Sequence, residues 1–370
     1  MIIGVAKEIK TEEYRVGLTP MTVKPFINHG HTVLIEQGAG VGSGFSDDEY
    51  KAAGAQIIAS KKEIFDKAAM IVKVKEPIAE EYGLFREGQI LYTYLHLAAN
   101  KPLAEALMAK KIIGVAYETI ECSDGSLPLL TPMSEIAGRL SIQEGAKYLE
   151  KPFGGRGILL GGVPGIRRGN VVILGGGVVG MNACKMAVGL GADVTIMDVS
   201  AKRLSYLDDI FSTHVTTLYS NESNIEEAVR TADLVIGAVL IPGAAAPKLL
   251  KRAHLKLMKK GAVIVDVAVD QGGCFETTRA TTHKDPVFVE EGVVHYCVAN
   301  MPGAVALSST IALTSVTYPY GLAIADKGIT QAARDSNALL KGINVHLGKC
   351  TYKNVADSLG LAYTPIDSVL

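Results

Sequence analysis

Residues 170–198, NVVILGGGVVGMNACKMAVGLGADVTIMD, constrain the fold more than any other stretch of the chain. The apolar run Val171–Leu174 leads directly into Gly175, Gly177 and Gly180, spaced G-x-G-x-x-G, and an apolar helical segment follows from Val178 to Leu190. Gly189 and Gly191 end that helix, Val194–Met197 form a second strand, and Asp198 stands at its end, roughly 20 residues beyond the glycines. Each part has a physical task. Gly175 permits the turn, Gly177 leaves room for a pyrophosphate against the backbone, Gly180 lets helix and strand pack closely, and the N–H groups of the helix start face the anion. Glycine is common here, at 39 of 370 residues, so the motif alone is weak; strand, helix, second strand and acid in register make it a dinucleotide site. Asp198 accepts from a ribose 2′-OH and repels a 2′-phosphate, which favours NAD over NADP, a preference that Lys202 and Arg203 weaken a little.

A chain of this length exceeds one core, and two domains are expected. With 48% hydrophobic and 20% charged residues the protein is globular, and a formal net charge of -1 without runs of like charge argues against nucleic acid as a partner. Cys122, Cys184, Cys274, Cys297 and Cys350 form no C-x-x-C pair, which suits reduced thiols in a cytoplasmic protein rather than disulfides or a metal cage. The N-terminus lacks the pattern of a signal peptide. Residues 296–325 carry no charge, yet their Asn, Pro, Ser and Thr content reads as a buried helix, not a membrane span.

Along the first part of the chain, strands Ile2–Val5, Thr32–Glu36, Met70–Val74, Gln89–Tyr94 and Ile112–Ala116 alternate with helices, which implies a doubly wound parallel sheet. Gly38–Ser46 also follows a strand and competes as a phosphate cradle, but it lacks the third glycine at the right offset and no apolar helix follows at once, so it reads as a structural loop; Gly154–Gly165 reads as a linker into the next domain. A helix near 134–151, capped by Ser134 or Thr131, bridges the two sheets. Beyond Asp198 the expected elements are helix Ala201–Phe211, strand Val215–Tyr219, helix Asn224–Ala232, strand Asp233–Val239, helix Pro247–Lys259 and strands Ala262–Val269 and Val293–Val298. The remainder reads as mainly helical and packs back on the first domain. The fold class is therefore α/β, with two doubly wound, Rossmann-like parallel-sheet domains separated by a cleft: residues 1–130 plus 305–370, and residues 131–304.

Open parallel sheets hold their chemistry at the carboxyl ends of strands. The first strand feeds a polar loop, Lys10–Gly17, that carries Arg15; Lys75 follows MIVKV, and His96 follows ILYTYL. A bidentate guanidinium suits a substrate carboxylate, and an imidazole trades protons near neutral pH. On spacing alone each is equally a solvated loop or strand-end residue. Asp266 and Asp270 share strand parity in GAVIVDVAVDQGG, with Asp270 at the carboxyl end, where a carboxylate stabilises a cationic substrate nitrogen or merely caps a turn.

Taken together, KEIKTEEYRVGLTP (7–20), GAGVGSGFSDDEY (38–50), VKVKEP (72–77), YLHLA (94–98), the GGGVVG segment, DVAVDQGG and VANMPGAV (298–305) resemble the alanine dehydrogenase family, whose superfamily includes the NAD-binding subunit of the proton-translocating transhydrogenase. The resemblance runs nearly end to end. It implies an NAD-dependent enzyme that interconverts L-alanine with pyruvate and ammonium, commonly as a homohexamer, with no metal site. On that resemblance Arg15 and Lys75 match the substrate-carboxylate ligands, with Asn300 beside them, while His96 matches the acid/base and Asp270 the second catalytic residue. Ser134, Val178, Val179, Asp198, Arg203, Ser220, Val239, Leu240, Val267, Asn300 and Met301, besides the three glycines and Asp270, match positions that line the cofactor. The alternatives are a transhydrogenase NAD-binding subunit and a non-catalytic NAD-binding protein.

Overall fold

A computed structural model describes residues 1–239 and 246–370. Fifteen strands occur among them. In chain order the first six are β1 (Ile2–Val5), β2 (Thr32–Glu36), β3 (Gln56–Ile58), β4 (Met70–Val72), β5 (Ile90–Thr93) and β6 (Ile113–Ala116). Seven more follow: β7 (Asn170–Leu174), β8 (Asp193–Asp198), β9 (Val215–Tyr219), β10 (Leu234–Gly237), β11 (Val263–Asp266), β12 (Val287–Glu290) and β13 (Val293–Tyr296). The last two are β14 (Ile343–His346) and β15 (Lys349–Cys350). The chain divides into two compact units, Met1–Met133 with Val305–Leu370, and Ser134–Ala304.

The first unit holds an eight-stranded sheet in the order β15-β14-β6-β5-β4-β1-β2-β3. Its central strands read IIGV, MIV and ILYT and are almost wholly buried, as parallel strands covered on both faces must be. The strand order reverses at β1, which pairs with β2 on one side and β4 on the other. Connections leaving the carboxyl ends of β1 and β4 therefore diverge, and the crevice between them is where such sheets bind ligands.

The uncharged stretch forms most of the helix Ala306–Asp335, broken at Gly328, whose φ of 73° no regular helix accommodates. Its buried face mixes small and polar residues with Leu313, Ile324 and Ile329, and it takes bonds from the sheet and its loops. Thr310 Oγ1 accepts the Val16 N–H at 3.3 Å and shares a hydrogen with Ser43 Oγ at 2.8 Å, and the Thr317 carbonyl accepts the Tyr92 hydroxyl at 2.9 Å. No helix among the described residues is long and apolar enough to cross a membrane. Gly38–Ser46 is structural: Ser43 Oγ donates to the Tyr14 carbonyl at 2.8 Å, bracing the loop that carries Arg15, and Ser46 caps the helix Asp47–Ala52.

Three expectations for this unit need correction. The C-terminal part is not only helical, since β14 pairs antiparallel with β6 and β15 antiparallel with β14, extending the sheet by two strands. INVH is too short to announce itself, and long-range pairing made it a strand. The expected strands Met70–Val74 and Gln89–Tyr94 end earlier, at Val72 and Thr93. Lys75 and His96 therefore stand on the loops beyond the strands.

The second unit holds a seven-stranded sheet, β12-β13-β11-β10-β7-β8-β9. From β9 to β13 the order is that of a doubly wound dinucleotide fold, with β12 added antiparallel at the edge. Gly154–Gly165 is not a linker. It belongs to this unit, where the Arg156 N–H bonds the Gly261 carbonyl at 3.0 Å and the Gly157 N–H bonds the Leu149 carbonyl at 2.8 Å. The expected helix Pro247–Lys259 shrinks to Arg252–Leu255, because Leu250 pairs with Phe275 and the Leu249 N–H bonds the Cys274 carbonyl at 2.8 Å. β11 ends at Asp266, so Asp270 lies on the turn Val269–Gln271 rather than on a shared strand face.

Candidate active site

The first unit gathers charge at its reversal point. Glu8, just past β1, accepts the Val74 and Lys75 N–H groups on Oε1 at 2.6 and 3.2 Å and the Lys73 ammonium on Oε2 at 3.0 Å. Lys73 is fully buried and also bonds Glu81 at 3.1 Å. Burial pushes the Glu8 carboxyl up, against the opposing pull of Lys73. A buried ion pair of this kind is costly to break. It fixes the segment after β4 that carries Lys75, itself buried, with its carbonyl bonded by Thr93 Oγ1 at 3.1 Å.

Arg15 is buried in the loop after β1. Its Nε and Nη2 grip Glu13 Oε1 and Oε2 at 2.7 and 2.6 Å, and Nη1 lies 3.1 Å from Met133 Sδ. Burial works against its charge, but the Glu13 carboxylate more than offsets that and holds the guanidinium above its ordinary value.

His96 follows β5 and is exposed, with a left-handed backbone at φ 48°. Glu118 stabilises that conformation by accepting the His96 N–H at 2.6 Å and the Leu95 N–H at 3.2 Å. The imidazole stacks on Tyr94 at 5.7 Å, and Nδ1 lies 3.1 Å from Glu76 Oε2. Glu76 also takes the Lys10 ammonium. The Tyr94 hydroxyl, bonded to the Leu129 carbonyl at 2.6 Å, is pushed up by burial although the Arg15 charge draws it down. Arg15, Lys75 and His96 thus belong to one charged rim at the ends of β1, β4 and β5.

In the second unit the glycine loop follows β7. Gly175 has φ 104°, where a Cβ would lie 2.7 Å from the Ala238 carbonyl oxygen; a Cβ on Gly180 would lie 1.8 Å from the Gly175 carbonyl oxygen. Gly177 is different, with open space where its Cβ would stand. It caps the helix Val178–Gly189 without any side-chain bond to the first amides. Val178 is partly exposed on that first turn, while Val179 is buried and its carbonyl oxygen would meet a Cβ on Gly138 at 2.2 Å. Asp198, at the end of β8, accepts the Gly176 N–H on Oδ2 at 2.8 Å and the Ser200 N–H on Oδ1 at 2.9 Å. Arg203 bonds the Gly176 carbonyl and lies over the Tyr206 ring. Ser220 donates its N–H to the Asp198 carbonyl at 3.0 Å, and Val239 follows β10.

The turn after β11 is built on Asp266. This buried carboxylate takes the Ala268 and Cys274 N–H groups at 3.0 Å each, the Phe275 N–H at 3.3 Å and the Thr278 hydroxyl. Val267 is tied to the Gly237 carbonyl at 3.0 Å, and Asp270 is exposed on the turn it leads into. Asn300, at φ 60°, donates its N–H to Asp270 Oδ2 at 3.4 Å, and Met301 beside it is buried. Ser134 lies inside the helix Thr131–Tyr148 and is not its cap. Leu240 falls outside the described residues.

The family model described as alanine dehydrogenase/PNT, N-terminal domain, matches residues 4–137, and the corresponding C-terminal domain matches residues 141–353. The chain belongs to the alanine dehydrogenase/PNT family. Among curated members, an alanine dehydrogenase of Methanococcus maripaludis is 60% identical over the whole of both chains. A solved L-alanine dehydrogenase is 53% identical, with a TM-score of 0.94 over 97% of this chain and 99% of its own. A transhydrogenase from Sinorhizobium meliloti is 25% identical, with a TM-score of 0.81 over 95% and 99%. This alanine dehydrogenase family member is an oxidoreductase with the α/β fold of its relatives.

Three acids that no sequence motif singled out as partners stand behind the candidate site residues. Glu13 grips Arg15, Glu76 meets His96, and Glu118 holds the backbone beneath it. Only Glu76 carried a signal, standing between Lys75 and Pro77 in VKVKEP.

Proposed function

We propose that the chain works as an NAD-dependent alanine dehydrogenase, interconverting L-alanine and water with pyruvate and ammonium. The observation that carries this reading is the charged rim of Arg15, Lys75 and His96 on a chain 60% identical, end to end, to a curated alanine dehydrogenase. The glycine loop fits a dinucleotide: Gly180 admits no side chain, Gly177 leaves open space, and the first helical amides lack a side-chain cap. Gly175, Gly177, Val178, Val179 and Gly180 would hold the pyrophosphate, with Asp198 facing a ribose. Ser134, Arg203, Ser220, Val239, Val267, Asn300 and Met301 complete the proposed lining.

Bound there, NAD supplies a hydride acceptor for the substrate Cα. The protein's own residues do the rest. Arg15 and Lys75 hold the carboxylate, with Asn300 beside it, so that Cα is presented in one orientation. His96 takes a proton from water as it adds to the substrate's iminium carbon, then returns one to the departing nitrogen as the carbinolamine collapses. Asp270 offers its carboxylate to the cationic nitrogen. Positioned proton transfer of this kind is worth roughly 10²–10⁴-fold in rate.

The reverse assay is a direct test: NADH oxidation should require both pyruvate and ammonium, and oxidation indifferent to ammonium would refute the reading. The likeness to the transhydrogenase supports a second reading, a nucleotide-binding subunit that passes hydride to another bound nucleotide. That reading gives His96 and Arg15 no task. Homohexameric assembly and a cytoplasmic setting complete the proposal, and sedimentation tests the first; the cysteines of the described structure are free thiols, in keeping with the second.

A further inference from the structure

We infer that Glu76 is the positioning residue for His96, taking the imidazole Nδ1–H and leaving Nε2 as the atom that exchanges protons. The inference rests on the proton-transfer role proposed above. Its geometry is explicit. Glu76 Oε2 lies 3.1 Å from Nδ1, the Glu76 side chain is only 13% exposed, and Oε1 is held by Lys10. Both carboxylate oxygens are therefore engaged and the group has no freedom to swing away.

The direction of the bond follows from the charges. Burial pushes the Glu76 carboxyl up, but the His96 bond, the Lys75 charge and the Lys10 bond together hold it well below the usual carboxylate range. An ionised carboxylate only accepts hydrogen bonds, so Nδ1 must carry the hydrogen, and a neutral ring then has its lone pair on Nε2. An orienting acid that fixes the tautomer in this way is the logic of the catalytic dyad and triad.

The surroundings restrain the same ring from other sides. Tyr94 stacks against it at 5.7 Å with 24° between the planes, and the Tyr94 hydroxyl is itself anchored to Leu129. Glu118 holds the left-handed backbone of His96 through two amides. The ring plane is set by Tyr94 and the backbone by Glu118, while the position of the proton is left to Glu76. Glu76 also precedes Pro77, which restricts its backbone to extended conformations and fixes where its side chain begins.

The test uses steady-state alanine oxidation by the whole enzyme, with wild type and His96→Ala as references. Glu76→Ala should lower kcat on the order of 10²-fold, within the range that a positioned acid/base contributes, while the KM for alanine moves far less. Added formate should restore part of the lost kcat. Glu76→Gln combined with Lys10→Met keeps an acceptor oxygen for Nδ1–H without a competing ammonium, and should recover most of the activity. Wild-type kcat in Glu76→Ala would overturn the inference. So would a loss that neither formate nor the Gln/Met pair relieves, since that marks a merely structural carboxylate. Failure of wild type itself to oxidise alanine would instead refute the proposed function.

Discussion

Arg15 and Glu13 form a two-pronged pair out of reach of water, Nε to Oε1 at 2.7 Å and Nη2 to Oε2 at 2.6 Å, with the side chains 2% and 0% exposed. The Arg15 N–H also donates to Oε1, at 3.0 Å, so two residues of one loop lock each other. The guanidinium is thereby oriented before any substrate arrives.

Removing Glu13 should affect binding and stability together. Glu13→Ala removes the carboxylate that both prongs of the buried guanidinium grip, a loss of about 3–5 kcal/mol when one partner of a buried pair is deleted. We expect a lowered urea midpoint and, in the protein that remains folded, a raised KM for alanine with a smaller change in kcat. An unchanged KM would remove Arg15 from carboxylate binding.

The three motif glycines should separate into structural and ligand-facing classes. Gly180→Ala drives a Cβ into the Gly175 carbonyl and should destabilise the second unit by about 3 kcal/mol or more, the upper end of overpacking costs. Gly177→Ala meets nothing within 4 Å and has an ordinary φ of -64°, so stability should change by about 0.5 kcal/mol or less. Its NAD affinity should nonetheless fall, because the open space is where the pyrophosphate is proposed to sit. Chemical denaturation beside cofactor titration reads both effects, and full NAD affinity in Gly177→Ala would contradict the assignment.

How legible was this in the sequence? The central strands of both sheets announce themselves as apolar runs, whereas the short outer strands β3, β12, β14 and β15 do not; the loop Gly175–Gly180 is plain because each glycine has a different steric task. Arg15, Lys75 and His96 could be located because a parallel sheet sends its loops to one edge. Their partners are far less legible, since Glu13 and Glu76 lie in loops and Glu118 in a single 3-10 turn, where no periodicity marks a side chain's direction, and only the setting of Glu76 in VKVKEP gives a hint. Long-range pairing hid the rest: the local pattern of 247–259 reads as a helix, yet Lys248 Nζ bonds the Gly273 and Phe275 carbonyls at 2.9 and 3.1 Å and ties the segment to the Asp266 turn.

Asp198 should govern the choice of nucleotide. Its carboxylate already holds the Gly176 and Ser200 amides, which fixes it at the end of β8, where it is proposed to meet a ribose. Asp198→Ala should cut kcat/KM for NAD about 10–100-fold, as the loss of a charge-assisted hydrogen bond implies, and narrow the preference over NADP. Parallel kinetics with both nucleotides check this, and an unchanged ratio would count against it.

His295 should contribute to acid sensitivity. It is fully buried in β13, with Nδ1 2.9 Å from the Val293 carbonyl and Nε2 2.8 Å from Thr277 Oγ1, and burial pushes its pKa down from 6.5. A depressed group of this sort adds stability that is fully present above about pH 6.5 and lost as the pH falls through the folded value. Urea unfolding at pH 7.5 and 5.5 should show a smaller pH difference in His295→Gln than in wild type. An identical difference would assign the acid limb elsewhere.

The most direct measurement is the appearance of NADH absorbance when folded wild-type protein meets L-alanine and NAD at alkaline pH, run beside His96→Ala. Wild type should produce NADH steadily, and kcat should fall roughly 10²–10⁴-fold in the variant. No NADH from wild type, or wild-type turnover in His96→Ala, would contradict the proposed function.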